Sequence, residues 1–333
     1  MKKYTLNDNQ NQMTNLDIRT CLAGQITYGH FKQAARELQI WWRENVLEVG
    51  YDRWENILTT KDAKKGLAFY EGYRDEILDY LKRPVEITSS TPSGQMLTNL
   101  LRSEHIPFNI FFPMQHDLEG CKRLFNDLIG KEEIQKINEI KIEYHPEPIS
   151  EYLDDHTAFD VFILYTNSDG DPSGIGIEVK YTESAYPLKI GSSEYRHVHD
   201  KDSKYFRVSS EIGWFKDIEK IQDALISNKF RQIWRNHILG ASMIMKGCIK
   251  HFYSITLFPS LNVHFSIDAL PKYKGTDGNN GLLSDEGFET CIPLTYEHLF
   301  DLMEKDLSLD KKEDWIKYLR SRYLLTVLQC FDC

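Results

Sequence analysis

This sequence predicts an α/β fold, on two observations. Two short β-type runs, Phe159–Tyr165 and Ile175–Tyr181, flank a turn-forming stretch, Asn167–Gly174. On either side of that pair, apolar residues recur at helical spacing, as in Tyr28–Val49 and Asp217–Met245. The first run alternates and is rich in Val, Ile, Phe and Tyr, which suits a pleated, partly buried strand. The connection holds Asn, Ser, Asp, Gly and Pro, the residues that make turns. In the second run Ile175, Ile177 and Val179 share one face, and Glu178 and Lys180 share the other, because strand side chains alternate. A hairpin centred near Asp169 sets Asp160 opposite Glu178 on that second face. Two carboxylates and an ammonium then converge at the strand ends. Burying such charges is costly unless they pair or hold a metal.

The remaining elements follow in chain order. Residues 1–25 are polar and Asn/Gln-rich and read as a loosely attached tail. Phe31, Ala34, Ala35, Leu38, Trp41 and Trp42 then form a helical stripe. Lys61–Tyr80 reads as a second helix, closed by Arg83-Pro84. Ser89–Ser93 offers hydroxyls that can cap a short helix through Met96–Leu101. Ile106–Met114 is apolar throughout, and Leu118–Leu128 is helical. Ile140–Tyr144 alternates and reads as the first strand, with Glu143 on it. Ala185–Phe206 reads as a long polar connection. It interleaves His197, His199, Lys201, Lys204 and Arg207 with Tyr186, Tyr195 and Tyr205, a mixture that can hold a nucleic-acid backbone or simply be a loop. In Asp217–Met245, Phe230, Ile233, Trp234, His237 and Ala241 share one side of a helix. Arg231 and Arg235 form another row, expected to face phosphate. His237 reads as a buried, hydrogen-bonded histidine. His251–Ile267 supplies one or two strands, Lys272–Gly281 a loop, and Leu299–Leu309 and Trp315–Leu328 the last helices.

Composition narrows the partners. A net charge of −10 disfavours loose, nonspecific binding to DNA, so any basic groove is expected to be local. No apolar run reaches the length of a membrane span. The charged start MKKYTLNDNQNQ has no apolar segment behind it, so no secretory signal is expected. Six cysteines lie scattered, and only Cys330-x-x-Cys333 forms a close pair. A reduced, cytoplasmic protein is the expectation.

Two carboxylates on adjacent strands make a hard oxygen site suited to Mg²⁺ or Mn²⁺. A lysine beside them can orient a water or offset charge on a phosphate. Two other readings share some of these residues. A surface hairpin with a Glu–Lys pair would have the same spacing, although the apolar face argues against it. An EF-hand loop would use Asn167, Asp169, Asp171 and Glu178, but Pro172 stands where its sharp turn needs glycine, and the flanks read as strands. Gly174-x-Gly176 lies at a strand turn and is no phosphate loop.

Asp160 followed by Glu178-Val179-Lys180 on the next strand resembles the motif of the PD-(D/E)xK nuclease superfamily. Phe159 stands where the name has proline. A bacterial branch of that superfamily is similar at Ser89, Ser90, Phe108, Asn109, Phe112 and Pro113. It is also similar in the Q-x-W-R-x-H segment, here Gln232, Trp234, Arg235 and His237. The resemblance implies a restriction-endonuclease-like core (αβββαβ) with added N-terminal and C-terminal helices. On that reading residues 1–25 are a tail, 26–85 a helical section packed on the core, and 86–333 the nuclease-like domain, all within one elaborated domain. It implies a metal-dependent nuclease, in restriction or defence, whose partner is nucleic acid, expected to be DNA, with a homodimer among the expected assemblies. Asp160 and Glu178 would bind the metal, helped by the Val179 backbone carbonyl, and Lys180 would position the attacking water. Glu143 is a further candidate, with an exposed strand charge as its equal alternative. Glu104 is a candidate for the carboxylate that many members add from the helix before the sheet, although a surface role is the better expectation for it. The alternative is a catalytically inactive module of the same fold that binds nucleic acid or a protein.

Overall fold

The computed structural model describes residues 26–82, 94–185, 187–276, 278, 280–326 and 329. Among them one five-stranded sheet runs in sequence order: β1 (Ile134–Tyr144), β2 (Phe159–Asn167), β3 (Pro172–Val179), β4 (Phe252–Phe258) and β5 (Cys291–Thr295). The first three strands are antiparallel neighbours, whereas β4 pairs parallel to β3 and β5 parallel to β4. The helices that matter for the argument are α1 (Tyr28–Trp42), α2 (Ile106–Met114), α3 (Leu118–Ile129), α4 (Arg231–Met245), α5 (Tyr296–Asp306) and α6 (Lys312–Tyr323). Helix, three strands, helix and strand thus follow one another as α2, β1–β3, α4 and β4. This is the expected restriction-endonuclease-like order, extended by β5 and by helices at both ends.

The β2–β3 hairpin forms because Asn167 makes its own turn. Its Oδ1 accepts the Asp169 and Asp171 amides at 3.1 and 2.8 Å, and Gly170 takes the left-handed conformation. The register that results pairs Val161 with Ile177 and Ile163 with Ile175, centred on Asp169 as expected. No calcium loop of the EF-hand kind is built, since strands and not helices flank the turn. Glu178 lies at the far end of β3.

The sheet separates two cores. One face presents Val161, Ile163, Tyr165, Ile175, Ile177, Val179, Ile255 and Leu257 to the side chains of α1, α2, α3, α5 and α6. The other face packs Phe162 and Phe252 against Trp234 and Ile238 of α4. Burial of this many aliphatic and aromatic side chains, each worth about 1.5–3 kcal/mol, fixes both helix layers on the sheet. The second layer sits very close. A Cβ on Gly240 of α4 would lie 2.1 Å from the Phe252 ring, and one on Gly176 of β3 would lie 2.5 Å from Phe159. Glycine at 240 lets α4 approach the Phe252 ring of β4, and Gly174-x-Gly176 is a packing feature that makes room for the Phe162, Phe159 and Phe252 rings.

Several elements differ from their sequence-based expectation. β1 begins at Ile134, six residues before the expected start, and irregular pairing at Ile134/Lys136 and Ile137/Glu139 breaks its early alternation. Ala185–Phe206, expected as a loop, holds a helix over 193–199 capped at Ser192 and the start of another over 204–211 begun at Ser203. The expected Lys61–Tyr80 helix is two short ones, Thr60–Ala63 and Arg74–Tyr80, interrupted at Gly66, which takes a positive φ. The long helix over Asp217–Met245 is likewise two, Ile218–Leu225 and α4. β5 was not expected at all: it carries Pro293, which argues against a strand, and it sits at the sheet edge where a missing N–H is tolerated. Ser89–Ser93, the tail 1–25 and Cys330-x-x-Cys333 lie outside the described residues. No helix of the described residues is long and apolar enough to cross a membrane.

Candidate active site

The site stands where β2 begins and β3 ends, on the sheet face covered by α4. Carried one step beyond Val161–Ile177, the β2–β3 register sets Asp160 against Glu178, and the two carboxylates interact. Asp160 Oδ2 accepts the Val179 amide at 2.6 Å, which ties the start of β2 to the end of β3. Lys180 is buried and donates to Glu178 Oε1 at 2.5 Å. Asp160, Glu178 and Lys180 are therefore brought together as the alternation predicted.

α4 supplies what the sequence reading missed. Gln232 Nε2 donates to Glu178 Oε1 at 2.5 Å, and Asn236 Nδ2 donates to Glu178 Oε2. Both oxygens of Glu178 thus have donors on them, two of these from neutral amides one helical turn apart. Residues four apart share a helix row, so the i, i+4 spacing of Gln232 and Asn236 was the available signal. It was overshadowed by the neighbouring arginines.

A third carboxylate joins the pair, and a fourth interacts with that third one. Glu143, at the end of β1, interacts electrostatically with Glu178 and Glu104. Its φ of 58° is left-handed, a conformation that costs a non-glycine residue about 1–2 kcal/mol. The strand changes face there. Ile140 and Ile142 belong to the first core, whereas Tyr144 stacks on Phe162 in the second, 4.7 Å between rings. Backbone held this way concentrates at functional sites. Glu104 lies on the short turn Ser103–His105 that leads directly into α2, and Arg102 pairs with it.

The electrostatics are those of too much negative charge in one place. Burial and then the neighbouring Glu178 and Glu143 push the Asp160 carboxyl well above the usual range, although Lys180 and the Val179 amide act against this. Burial, Glu178 and Glu104 push Glu143 up to about 7. Like charges gathered out of water resist ionisation until a cation joins them.

The other expected residues are placed differently. Arg231 and Arg235 do not face an open surface. Arg231 Nε pairs with Glu194 at 2.7 Å, and Arg235 pairs with Asp155 at 3.0 Å and with Glu194 at 3.2 Å. Their row on α4 points to a buried network one step around the helix from Gln232 and Asn236, because adjacent residues turn by about 100°. His237 is fully buried, stacks on Trp214 and bonds Tyr273 and Thr290; burial pushes its imidazole down to about 3. Asn109, at the position similar to the bacterial branch, is a buried structural residue that accepts the Tyr70 amide at 2.7 Å and donates to Tyr323 at 2.7 Å.

The model of the PD-(D/E)XK nuclease superfamily matches residues 27–325, nearly the whole chain. The chain belongs to that superfamily. The match takes in Asp160 and the Glu178-Val179-Lys180 triplet, and it reaches from α1 to beyond α6, so the terminal helices are part of the matched unit. No curated protein and no solved structure matches the chain significantly. Membership implies nuclease activity in general, a nucleic acid as substrate, and the divalent metal that nucleases of this superfamily generally use.

The donor set fits such an ion. Carboxylate oxygens from Asp160, Glu178, Glu143 and Glu104 are hard ligands, and the raised Asp160 and Glu143 carboxyls are short of positive charge. Among the described residues, however, no three His, Cys, Asp or Glu side chains stand together in an arrangement that could hold a metal ion as they are. Lys180, Gln232 and Asn236 hold Glu178 instead.

Proposed function

We propose that this protein is a nuclease that hydrolyses DNA with Mg²⁺ or Mn²⁺. The observation that carries the reading is the meeting of Asp160, Glu178 and Lys180 on one face of the β2–β3 hairpin, within a family of nucleases. Asp160 and Glu178 would hold the metal, with the Val179 carbonyl, and Glu143 and Glu104 complete the acidic side of the site. The ion supplies Lewis acidity toward the scissile phosphate and a lowered pKa for the attacking water.

The chain's own residues do the rest. Asn236 and Gln232 fix the rotation of the Glu178 carboxylate, so its orientation costs nothing during the reaction. The Val179 amide does the same for Asp160. Lys180 gives the cluster its buried ammonium: it offsets the carboxylates at rest and charge on the phosphate oxygens in the transition state. With Glu143 up at about 7, the site is loaded with protons below neutrality and ready for a cation above it.

The test is direct. Supercoiled DNA, linear DNA and RNA are incubated with the protein in Mg²⁺, Mn²⁺ or chelator, beside Asp160→Ala. Cleavage of DNA that requires the metal and is lost in the variant is expected. Equal cleavage by the variant excludes the assignment. Binding without turnover, indifferent to chelator, would show a nuclease fold kept for binding alone.

A further inference from the structure

Glu183 lies three residues beyond Lys180, outside the motif, yet it bridges two pieces of the site. Its Oε1 accepts the Ser103 amide at 3.0 Å, and its Oε2 accepts the Tyr181 amide at 2.9 Å. One of these amides immediately follows Lys180, and the other immediately precedes Glu104. The two segments are about eighty residues apart in sequence, and a single carboxylate holds them in register. Thr182 adds a second strap, its hydroxyl donating to the Leu101 carbonyl at 3.3 Å. Asn262 holds the same segment from behind, donating to the carbonyls of Tyr181 and Glu183 at 2.9 and 3.3 Å.

Glu104 needs such a strap. It sits on a three-residue turn, and its ion pair with Arg102 is local to that turn, so neither fixes where the turn stands against β3. Glu104 nevertheless acts on Glu143 across the site. An amide bonded to a carboxylate makes a charge-assisted hydrogen bond, about twice as strong as a neutral one. Two of them on one side chain define the distance between the end of β3 and the start of α2.

We infer that Glu183 is a positioning residue: by bridging the Tyr181 and Ser103 amides it sets Glu104 at the metal-binding carboxylates carried by β2 and β3. The inference rests on the nuclease reading above, in which Glu104 faces the metal. Glu183 spans the two segments with both oxygens, one on each backbone amide. Its role is to convert the fixed geometry of β3 into a fixed place for a carboxylate from a different layer of the fold.

The test is a double-mutant cycle on metal binding. Mn²⁺ affinity is measured by titration calorimetry, without substrate, for the parent protein, Glu104→Ala, Glu183→Ala and the double variant. Each single change is expected to weaken binding by about tenfold, the usual size of an outer-shell effect. The double variant is expected to bind no more weakly than Glu104→Ala, because the bridge acts through that carboxylate. Thermal unfolding of the metal-free variants checks that they fold. Should Glu183→Ala unfold, Glu183→Gln decides: its single carbonyl oxygen keeps one amide and loses the other, so weakening is again expected. Unchanged affinity in the Glu183 variants, with weakened binding in Glu104→Ala, overturns the inference and leaves the nuclease reading standing. Weakening that adds to that of Glu104→Ala also overturns it, since Glu183 would then act elsewhere. Unchanged affinity in Glu104→Ala removes Glu104 from the metal site, and the inference with it.

Discussion

Helix α4 serves two buried charged clusters, and they are opposites. On one row, Arg231 and Arg235 reach Glu194 and Asp155. Arg235 also donates to Thr157 and Tyr205, and Tyr205 in turn donates to Asp155. On the next row, Gln232 and Asn236 reach Glu178, beside Asp160 and Glu143. In the first cluster cations match carboxylates. Burial would raise the Asp155 carboxyl, but Arg235, Thr157 and Tyr205 outweigh it and hold the group below the ordinary range. In the second, the helix offers amides and no charge, and Asp160 and Glu143 are pushed up. A balanced cluster is a strut, whereas an unbalanced one is a place for a ligand of the missing sign. The difference explains why strongly shifted carboxyls mark the site better than buried charge as such.

The contrast can be broken from either side. The largest effect is expected from Asp160→Asn or Lys180→Ala, which should reduce metal-dependent cleavage by about a thousandfold, read from initial rates on plasmid DNA. Asp160→Asn should leave metal-free stability at pH 8 unchanged or higher, because it removes a charge from a crowded cluster. Asp155→Asn should do the reverse. It leaves Arg235 with one carboxylate fewer, so urea unfolding should show a loss of about 3 kcal/mol, while Mn²⁺ still stabilises the variant. A protein that loses cleavage but keeps its stability in both variants would remove the distinction between the clusters.

Smaller changes sharpen it. Asn236→Leu withdraws the donor on Glu178 Oε2 and should weaken Mn²⁺ binding by about tenfold, as seen by calorimetry. Gln232→Leu should cost less, since Lys180 still holds Glu178 Oε1. The smallest effect expected is in the pH dependence of the metal-free protein. Glu143 is raised from 4.5 to about 7 on folding, so the folded state holds the proton more tightly. Stability from this group is present at low pH and is lost as pH rises toward 7. Asp155 has the opposite sign, but its contribution is lost only as pH falls below the ordinary carboxylate range. Buried His237 acts the other way in the same window, adding stability as pH rises through 6.5. The Glu143 contribution is therefore read as a difference: between pH 5 and pH 8 the parent should lose on the order of 1 kcal/mol relative to Glu143→Gln. A profile unaltered by that substitution would place Glu143 outside the cluster.

How much of this could be read without coordinates depends on how local each contact is. The hairpin could, because Asn167 makes the turn and a period of two then decides which side chains share a face. Asp160, Glu178 and Lys180 follow from that arithmetic, and so does the buried state of His237, from its place on an apolar helix stripe. The direction of Arg231 and Arg235 does not follow, because a helix row shows which residues travel together and not what the row meets. Only packing reveals that Asp155 and Glu194 lie under it. Pairings of segments far apart in the chain are equally silent: Ser103 with Glu183, Asn236 with Glu178, and the extra strand β5 at the edge.

What the sequence alone determined, then, is the acidic pair and the lysine at the hairpin ends, since turn chemistry and strand alternation act over a few residues. The tertiary structure decided everything that surrounds them: which carboxylates join from β1 and the turn before α2, which amides hold Glu178, and which arginines are spent elsewhere. Those choices depend on how two helix layers close on a sheet, and that is set by the whole core at once.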